Sequence, residues 1–139
     1  MIIGIGTDMV SLARLKKQLA QFSQPILDRL FTPAEQARAG QKKCETAQLG
    51  FYAKRFAAKE AFAKALGTGI GRAVSWTEVE VVNDGNGAPV LKVYGKAMDQ
   101  VLDLIPVGCA PRFHVSLTDE KLFAAAFVII EAIPADPDN

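Results

Sequence analysis

One domain of mixed helix and strand is what this sequence predicts. Three observations point there. The 139 residues suffice for a single ordinary domain with a real core. Half are hydrophobic and 22% are charged, the composition of a globular chain. An alanine-rich helical pattern fills the middle, with alternating, strand-like segments at the start and through the second half. There is no repeat and no internal boundary.

The elements follow in order. Ile2 to Asp8 alternates, with Ile3, Ile5 and Thr7 on one face and Gly4, Gly6 and Asp8 on the other. A glycine-lined face lets another backbone or a ligand come close. Ser11 to Phe22 reads as an amphipathic helix with Leu12, Leu15, Leu19 and Phe22 inward and Arg14, Lys16 and Lys17 on the polar side. Thr32-Pro33-Ala34-Glu35 is a capping-box signature with proline at the first helical position. A long helix runs from Thr46 to Leu66 and stops at Gly67. Trp76 to Val82 and Pro89 to Tyr94 read as strands joined by the turn Asn83-Asp84-Gly85-Asn86-Gly87. Gly95 to Ile105 is a helix closed by Pro106. Arg112 to Leu117 is a strand with Arg112, His114 and Ser116 on one face. Leu122 to Glu131 is apolar on both faces, as a central or interface strand is. Residues 1–131 thus form the domain, and 132–139, with two prolines and two aspartates, a loose tail.

Charge is unevenly spread. Met1 to Arg72 holds 12 Lys/Arg and 5 Asp/Glu, a balance of +7, whereas Ala73 to Asn139 holds 4 and 10, a balance of −6. The basic half suits an acidic partner or a phosphorylated ligand, while a net +1 makes nucleic acid a poor first choice. No apolar run is long enough to span a bilayer. The start, M-I-I-G-I-G-T-D, lacks the basic region and long apolar core of a signal peptide. Cys44 and Cys109 have no metal-like spacing. A reducing, cytoplasmic setting fits these features.

The segment with the most chemistry is Arg55 to Gly71, R-F-A-A-K-E-A-F-A-K-A-L-G-T-G-I-G. On a helix, Phe51, Ala58, Phe62 and Ala65 form an apolar stripe, and Phe56, Glu60 and Lys64 lie on roughly the opposite face. A carboxylate beside an ammonium, one turn before a glycine loop, suits a metal-bound phosphate. Taken alone, the segment reads more simply as an ordinary i,i+4 Glu–Lys pair, worth a few tenths of a kcal/mol. The loop Gly67-Thr68-Gly69-Ile70-Gly71 is neither a Walker loop nor a dinucleotide fingerprint. Asp8 and Glu60 sit where two elements could converge. Two carboxylates without a Cys or His cluster suit Mg²⁺ and not structural zinc.

G-I-G-T-D at the start, R-F-A-A-K-E-A-F-A-K-A-L-G-T-G-I-G in the middle, N-x-x-x-G-x-P in the hairpin and H-V-S-L-T-D near the end occur in this order. Together they closely resemble the holo-acyl-carrier-protein synthases, the small group of the 4'-phosphopantetheinyl transferase superfamily, over Met1 to Glu131. The resemblance implies an α+β fold with an antiparallel sheet and a long helix packed on it. It implies that Asp8 and Glu60 are magnesium ligands and that Lys64 lies near the transferring phosphate. Arg55, Phe56, Lys59 and the loop of Gly67, Thr68 and Gly69 through Gly71 match the surroundings of coenzyme A. Asn83, Gly87 and Pro89 match its adenosine-binding hairpin, and His114 and Ser116 match contacts to its 3'-phosphate end. Arg14, with Lys17 at i+3, matches the basic helix that docks acidic acyl carrier protein. The implied assembly is a homotrimer with active sites between subunits. The implied reaction moves 4'-phosphopantetheine from coenzyme A to a serine of the carrier, with Glu60 or a water on the metal as base. Asp119 stands where many members have a second histidine. A Mg²⁺-dependent phosphohydrolase and a non-catalytic binding module are the other classes the same residues allow.

Overall fold

The computed structural model describes residues 1–21, 24–71 and 74–136. The order is β1 (Ile2–Ser11), α1 (Leu12–Gln21), α2 (Gln24–Leu30), α3 (Pro33–Gly40), α4 (Glu45–Leu66), a 3₁₀ turn (Trp76–Glu78), β2 (Val79–Asn83), β3 (Pro89–Val93), α5 (Gly95–Leu102), β4 (Cys109–Asp119) and β5 (Phe123–Pro134). Phe22, expected to point inward from the first helix, lies outside the described residues. Strands β1, β5 and β4 form an antiparallel sheet in that order, and β2 and β3 form a separate hairpin. The long helix α4 packs on β1 and β5, so the fold is α+β as expected.

The central position of β5 follows from its two apolar faces. Ala124, Ala126, Val128, Ile130 and Ala132 are buried on the α4 side. Phe123 and Phe127 face the other way and are about half exposed, beside Ile5 and Met9 of β1. The small alanines let α4 sit close, and the glycines of β1 let it sit closer. A Cβ on Gly4 would fall 1.9 Å from the Ala65 carbonyl oxygen, and one on Gly6 1.9 Å from that of Ala61. The close backbone anticipated at the glycine face is therefore α4 itself.

Helix α3 starts as its capping box demands: the Thr32 hydroxyl accepts from Glu35 N–H at 3.2 Å, and Glu35 Oε1 accepts from Thr32 N–H at 3.0 Å. Helix α4 stops at Gly67, which is left-handed at φ 83°. Its buried surface is wider than one stripe: Arg55 and Lys59 are as buried as Phe51 and Phe62.

Several boundaries differ from expectation. β1 continues past Asp8 to Ser11 because Asp8, Met9, Val10 and Ser11 all find partners on β5. Trp76 to Glu78 is a 3₁₀ turn and not strand. Glu78 reaches back to the Ser75 N–H at 3.1 Å, which closes a turn before β2 starts. Helix α2 was not anticipated; Gln24 Nε2 donates to Asp28 Oδ1 one turn on at 2.8 Å. Residues 132–134 belong to β5, and Ala135 N–H donates to the Gly108 carbonyl at 2.9 Å.

Candidate active site

The tight β1–α4 packing decides where Asp8 goes. It shares the Gly4 and Gly6 face and pairs with buried Ala126, so its carboxylate points at α4. There Asp8 Oδ1 meets Lys64 Nζ at 2.9 Å, and Lys64 also donates to the Thr7 carbonyl at 3.1 Å. Glu60, one turn before Lys64, completes the group. Burial and then the neighbouring Asp8 charge push the Glu60 carboxyl above its ordinary value, while Lys64 opposes the shift. The sequence thus brings Asp8, Glu60 and Lys64 to one place from two elements. Among the described residues no group of three or more His, Cys, Asp or Glu is arranged to hold a metal. A cation on Asp8 and Glu60 would complete its shell with water or ligand oxygens, as Mg²⁺ does.

Glu60 opens into a cleft of about 370 Å³ walled by Asp28 and Arg29 of α2, Ile70, and Trp76 and Thr77 of the 3₁₀ turn. Phe56 stacks on Trp76 with centroids 4.7 Å apart. The glycine loop brings Ile70 and Gly71 to this cleft. The N–H groups of Gly67, Thr68 and Gly69 all turn back to the Ala63 carbonyl, at 3.0, 3.2 and 3.4 Å. These amides satisfy the end of α4, the orphaned acceptors of any helix terminus, and are not free for a ligand.

A second cleft of about 300 Å³ is lined by Arg38, Lys42, Lys54, Arg55, Asn83 and Asp119, among others. Arg55 is 3% exposed, and its guanidinium lies 3.6 Å from the Phe51 ring centroid. Its Nη2 donates to Asn83 Oδ1 at 2.8 Å, and its buried Nε has no partner. Desolvation pulls its pKa down to about 10. Asn83 Nδ2 in turn donates to the Gly87 carbonyl at 2.9 Å, which fixes the hairpin turn that Pro89 follows. Asp119 forms an ion pair with Lys54 at 3.4 Å. Arg38, Lys42 and Lys54 were not singled out from the sequence; the +7 balance of the first half was their only signal. Arg55 and Glu60 are five residues apart on α4, so about 7.5 Å of helix rise separates the two clefts.

Lys59 is a correction. Its side chain is fully buried and bound to Glu35 Oε1 at 2.6 Å and to the carbonyls of Leu30 at 2.8 Å and Trp76 at 3.0 Å. All three ammonium donors are used inside the protein, so none is left for a ligand phosphate. Arg14 and Lys17 stand exposed on α1, as anticipated, with Leu15 buried beneath.

His114 and Ser116 do not join the Asp8 group within one chain. They lie on the open face of the sheet, in rows with Ile129 and Ile5, and with Phe127 and Thr7. Asp8 is on the other face. His114 Nε2 pairs with Glu131 Oε2 at 2.8 Å, and this hydrogen bond holds the Glu131 carboxyl below its usual range.

The model of the ACPS family, described as the 4'-phosphopantetheinyl transferase superfamily, matches residues 4–132. The holo-[acyl-carrier-protein] synthase of Maricaulis maris is 46% identical over 134 residues, 96% of this chain and 92% of that protein. That of a Methylobacterium species is 47% identical over 133 residues, 96% of each. Among solved structures, the holo-[acyl-carrier-protein] synthase of Neisseria meningitidis is 41% identical with a TM-score of 0.79, covering 94% of this chain and 99% of that one. The Bacillus anthracis synthase, solved in complex with CoA (3',5'-ADP), is 36% identical with a TM-score of 0.78, covering 96% and 99%. The carboxylate pair, its lysine and the α+β frame that joins them are thus those of a chain that belongs to the 4'-phosphopantetheinyl transferase superfamily.

Proposed function

We propose that this protein transfers 4'-phosphopantetheine from coenzyme A to a serine hydroxyl of apo acyl carrier protein in fatty acid biosynthesis, releasing adenosine 3',5'-bisphosphate. The observation that carries this reading is the convergence of Asp8, Glu60 and Lys64 beside a basic cleft on the same helix. Coenzyme A is long and carries a pyrophosphate and a separate 3'-phosphate. The Glu60 cleft suits the first, and Arg38, Lys42, Lys54 and Arg55 suit the second.

Asp8 and Glu60 fit Mg²⁺: they are hard oxygen donors whose mutual repulsion a divalent cation relieves. With Mg²⁺ bound, the site gains charge neutralisation of the pyrophosphate and a more electrophilic phosphorus. The protein's own groups do the rest. Lys64 Nζ, held by Asp8 and the Thr7 carbonyl, is aimed at the same space and stabilises negative charge developing on the transferring phosphoryl group. Glu60, or a water beside it, takes the carrier serine's proton. The serine oxygen bonds to the phosphorus of the phosphopantetheine, and the bond from that phosphorus to the bisphosphate oxygen breaks.

The active assembly is a homotrimer in the cytoplasm. The open sheet face carries Ile5, Met9, Phe123 and Phe127, a patch a monomer leaves wet. Packing it against neighbours would bring His114 and Ser116 of one subunit, which lie on that face, toward the clefts of the next. Among the described residues no helix is long and apolar enough to cross a membrane. Arg14 and Lys17 meet the acidic carrier helix.

The test is mass spectrometry of an apo carrier protein incubated with this protein, coenzyme A and Mg²⁺. A gain of one phosphopantetheine is expected. Release of the bisphosphate with no change in the carrier would instead identify a hydrolase.

A further inference from the structure

Lys59 precedes Glu60 in sequence yet touches no ligand space. Its ammonium holds two backbone carbonyls, and both belong to segments that wall the Glu60 cleft. Leu30 follows Asp28 and Arg29 at the end of α2. Trp76 opens the 3₁₀ turn, and Trp76 and Thr77 line the same cleft. Glu35 fixes the ammonium from behind: its Oε1 also accepts Thr32 N–H, and its Oε2 accepts Val81 N–H at 3.1 Å. The network ties α2, α3, α4, the 3₁₀ turn and β2 to one buried point.

The geometry points to Lys59, with Glu35 behind it, as a positioning pair that sets the spacing of the cleft walls around Glu60. An apolar side chain of the same length would anchor α4 in the core equally well, and a buried ion pair is a poor way to gain stability. Only a group with three donors can hold two carbonyls and a carboxylate at once. The retention of Lys59 in the core is thus better explained by placement of the walls than by stability.

The claim that this placement serves turnover rests on the proposed transfer reaction; the clamp itself does not. Trp76 is the only tryptophan, and its ring stacks on Phe56 in the cleft wall, so its fluorescence reads the clamp directly. The experiment compares Lys59→Met and the double variant Lys59→Met/Glu35→Gln with the wild type, below the melting temperature of each. Lys59→Met leaves the Glu35 charge buried and alone, and so melts earliest; the double variant removes that charge and regains stability. Both variants are expected to lose about ten- to a hundredfold in kcat with KM for coenzyme A within about threefold of wild type. Both are also expected to show lower Trp76 anisotropy. Recovery of kcat in step with melting temperature would reduce the pair to a structural one and overturn the inference. So would wild-type kcat in either variant, or an unchanged Trp76 signal. A wild-type protein that leaves the carrier unmodified would defeat the reaction assignment instead, while the Trp76 comparison would still test the clamp.

Discussion

Gly6→Ala isolates the packing that places Asp8. The added methyl carbon would stand 1.9 Å from the Ala61 oxygen and 2.7 Å from the Ala65 nitrogen, both main-chain atoms of α4. Ordinary contact begins near 3.4 Å, so strand and helix must part by about 1.5 Å. Overpacking of this kind costs about 1–3 kcal/mol, and the upper end applies where no side chain can rotate away. For a chain of this size that is a fall of roughly 10 °C in Tm. Asp8 is two residues further along the same strand face and moves with it. Its 2.9 Å bridge to Lys64 would then stretch past hydrogen-bond length. Misplacement by about 1 Å can remove about a hundredfold in turnover. Calorimetry and the carrier-modification assay on one preparation measure both effects. Gly40→Ala is the control, since its methyl group would meet nothing within 4 Å. A Gly6→Ala protein with wild-type Tm and rate would show that the close approach does not place Asp8.

Other consequences can be measured as directly. Asp8→Ala should abolish most transfer while leaving the fold intact, and a normal rate at limiting Mg²⁺ would remove Asp8 from the site. Glu60 has a raised pKa, so in metal-free protein the fold binds its proton more readily than the unfolded chain does. Its ionisation therefore lowers stability as pH rises from the ordinary carboxylate range through the raised value. Glu60→Gln should accordingly raise Tm in EDTA at pH 7, with the gain vanishing in acid; a pH-independent difference would contradict this cause. Arg14→Glu should raise KM for the carrier far more than for coenzyme A, and salt should weaken wild-type association. Equal effects on both substrates would move the docking surface elsewhere. Phe127→Glu puts a charge on the open sheet face and should lower both particle mass by light scattering and activity, whereas a fully active wild-type monomer would refute the shared site.

Local chemistry was legible where the signal and its cause lie within a few residues. The capping box at Thr32 and the stop at Gly67 formed as the sequence indicates, because their hydrogen bonds close within one turn. The alternation of β1 gave the correct faces, and with them the side from which Asp8 approaches α4. Long-range partners were not legible. Lys59 has the same spacing from its neighbours whether it meets a phosphate or Glu35, and its partners Leu30 and Trp76 come from distant segments. The glycine loop is ambiguous for a related reason: glycine serves equally a helix end and an anion cradle, and here Gly67 to Gly69 turn their N–H groups to the helix end while Ile70 and Gly71 line the Glu60 cleft. Trp76 to Glu78 alternates like a strand, yet the Glu78 carboxylate competes for the backbone and wins a turn. Helix α2 is only 7 residues long, so its placement depends on what it packs against.

The sheet pairs the two extremes of the chain: Ile2 lies opposite Glu131 and Ser11 opposite Phe123. A growing polypeptide therefore makes β1 and α4 long before the central strand exists to receive them. At about 5–20 residues per second, β1 waits several seconds for β5. During that interval Ile5 and Met9 have no sheet around them and α4 has no floor. Loop closure over such a distance slows folding, so this architecture forms only once β5 has been made. A nonsense mutation that removes β5 would leave only the β2–β3 hairpin as sheet, because β1 and β4 are joined to each other only through β5. Conversely, a peptide carrying β4 and β5, supplied in trans to a chain ending after α5, is the natural pair of fragments from which to reassemble the fold.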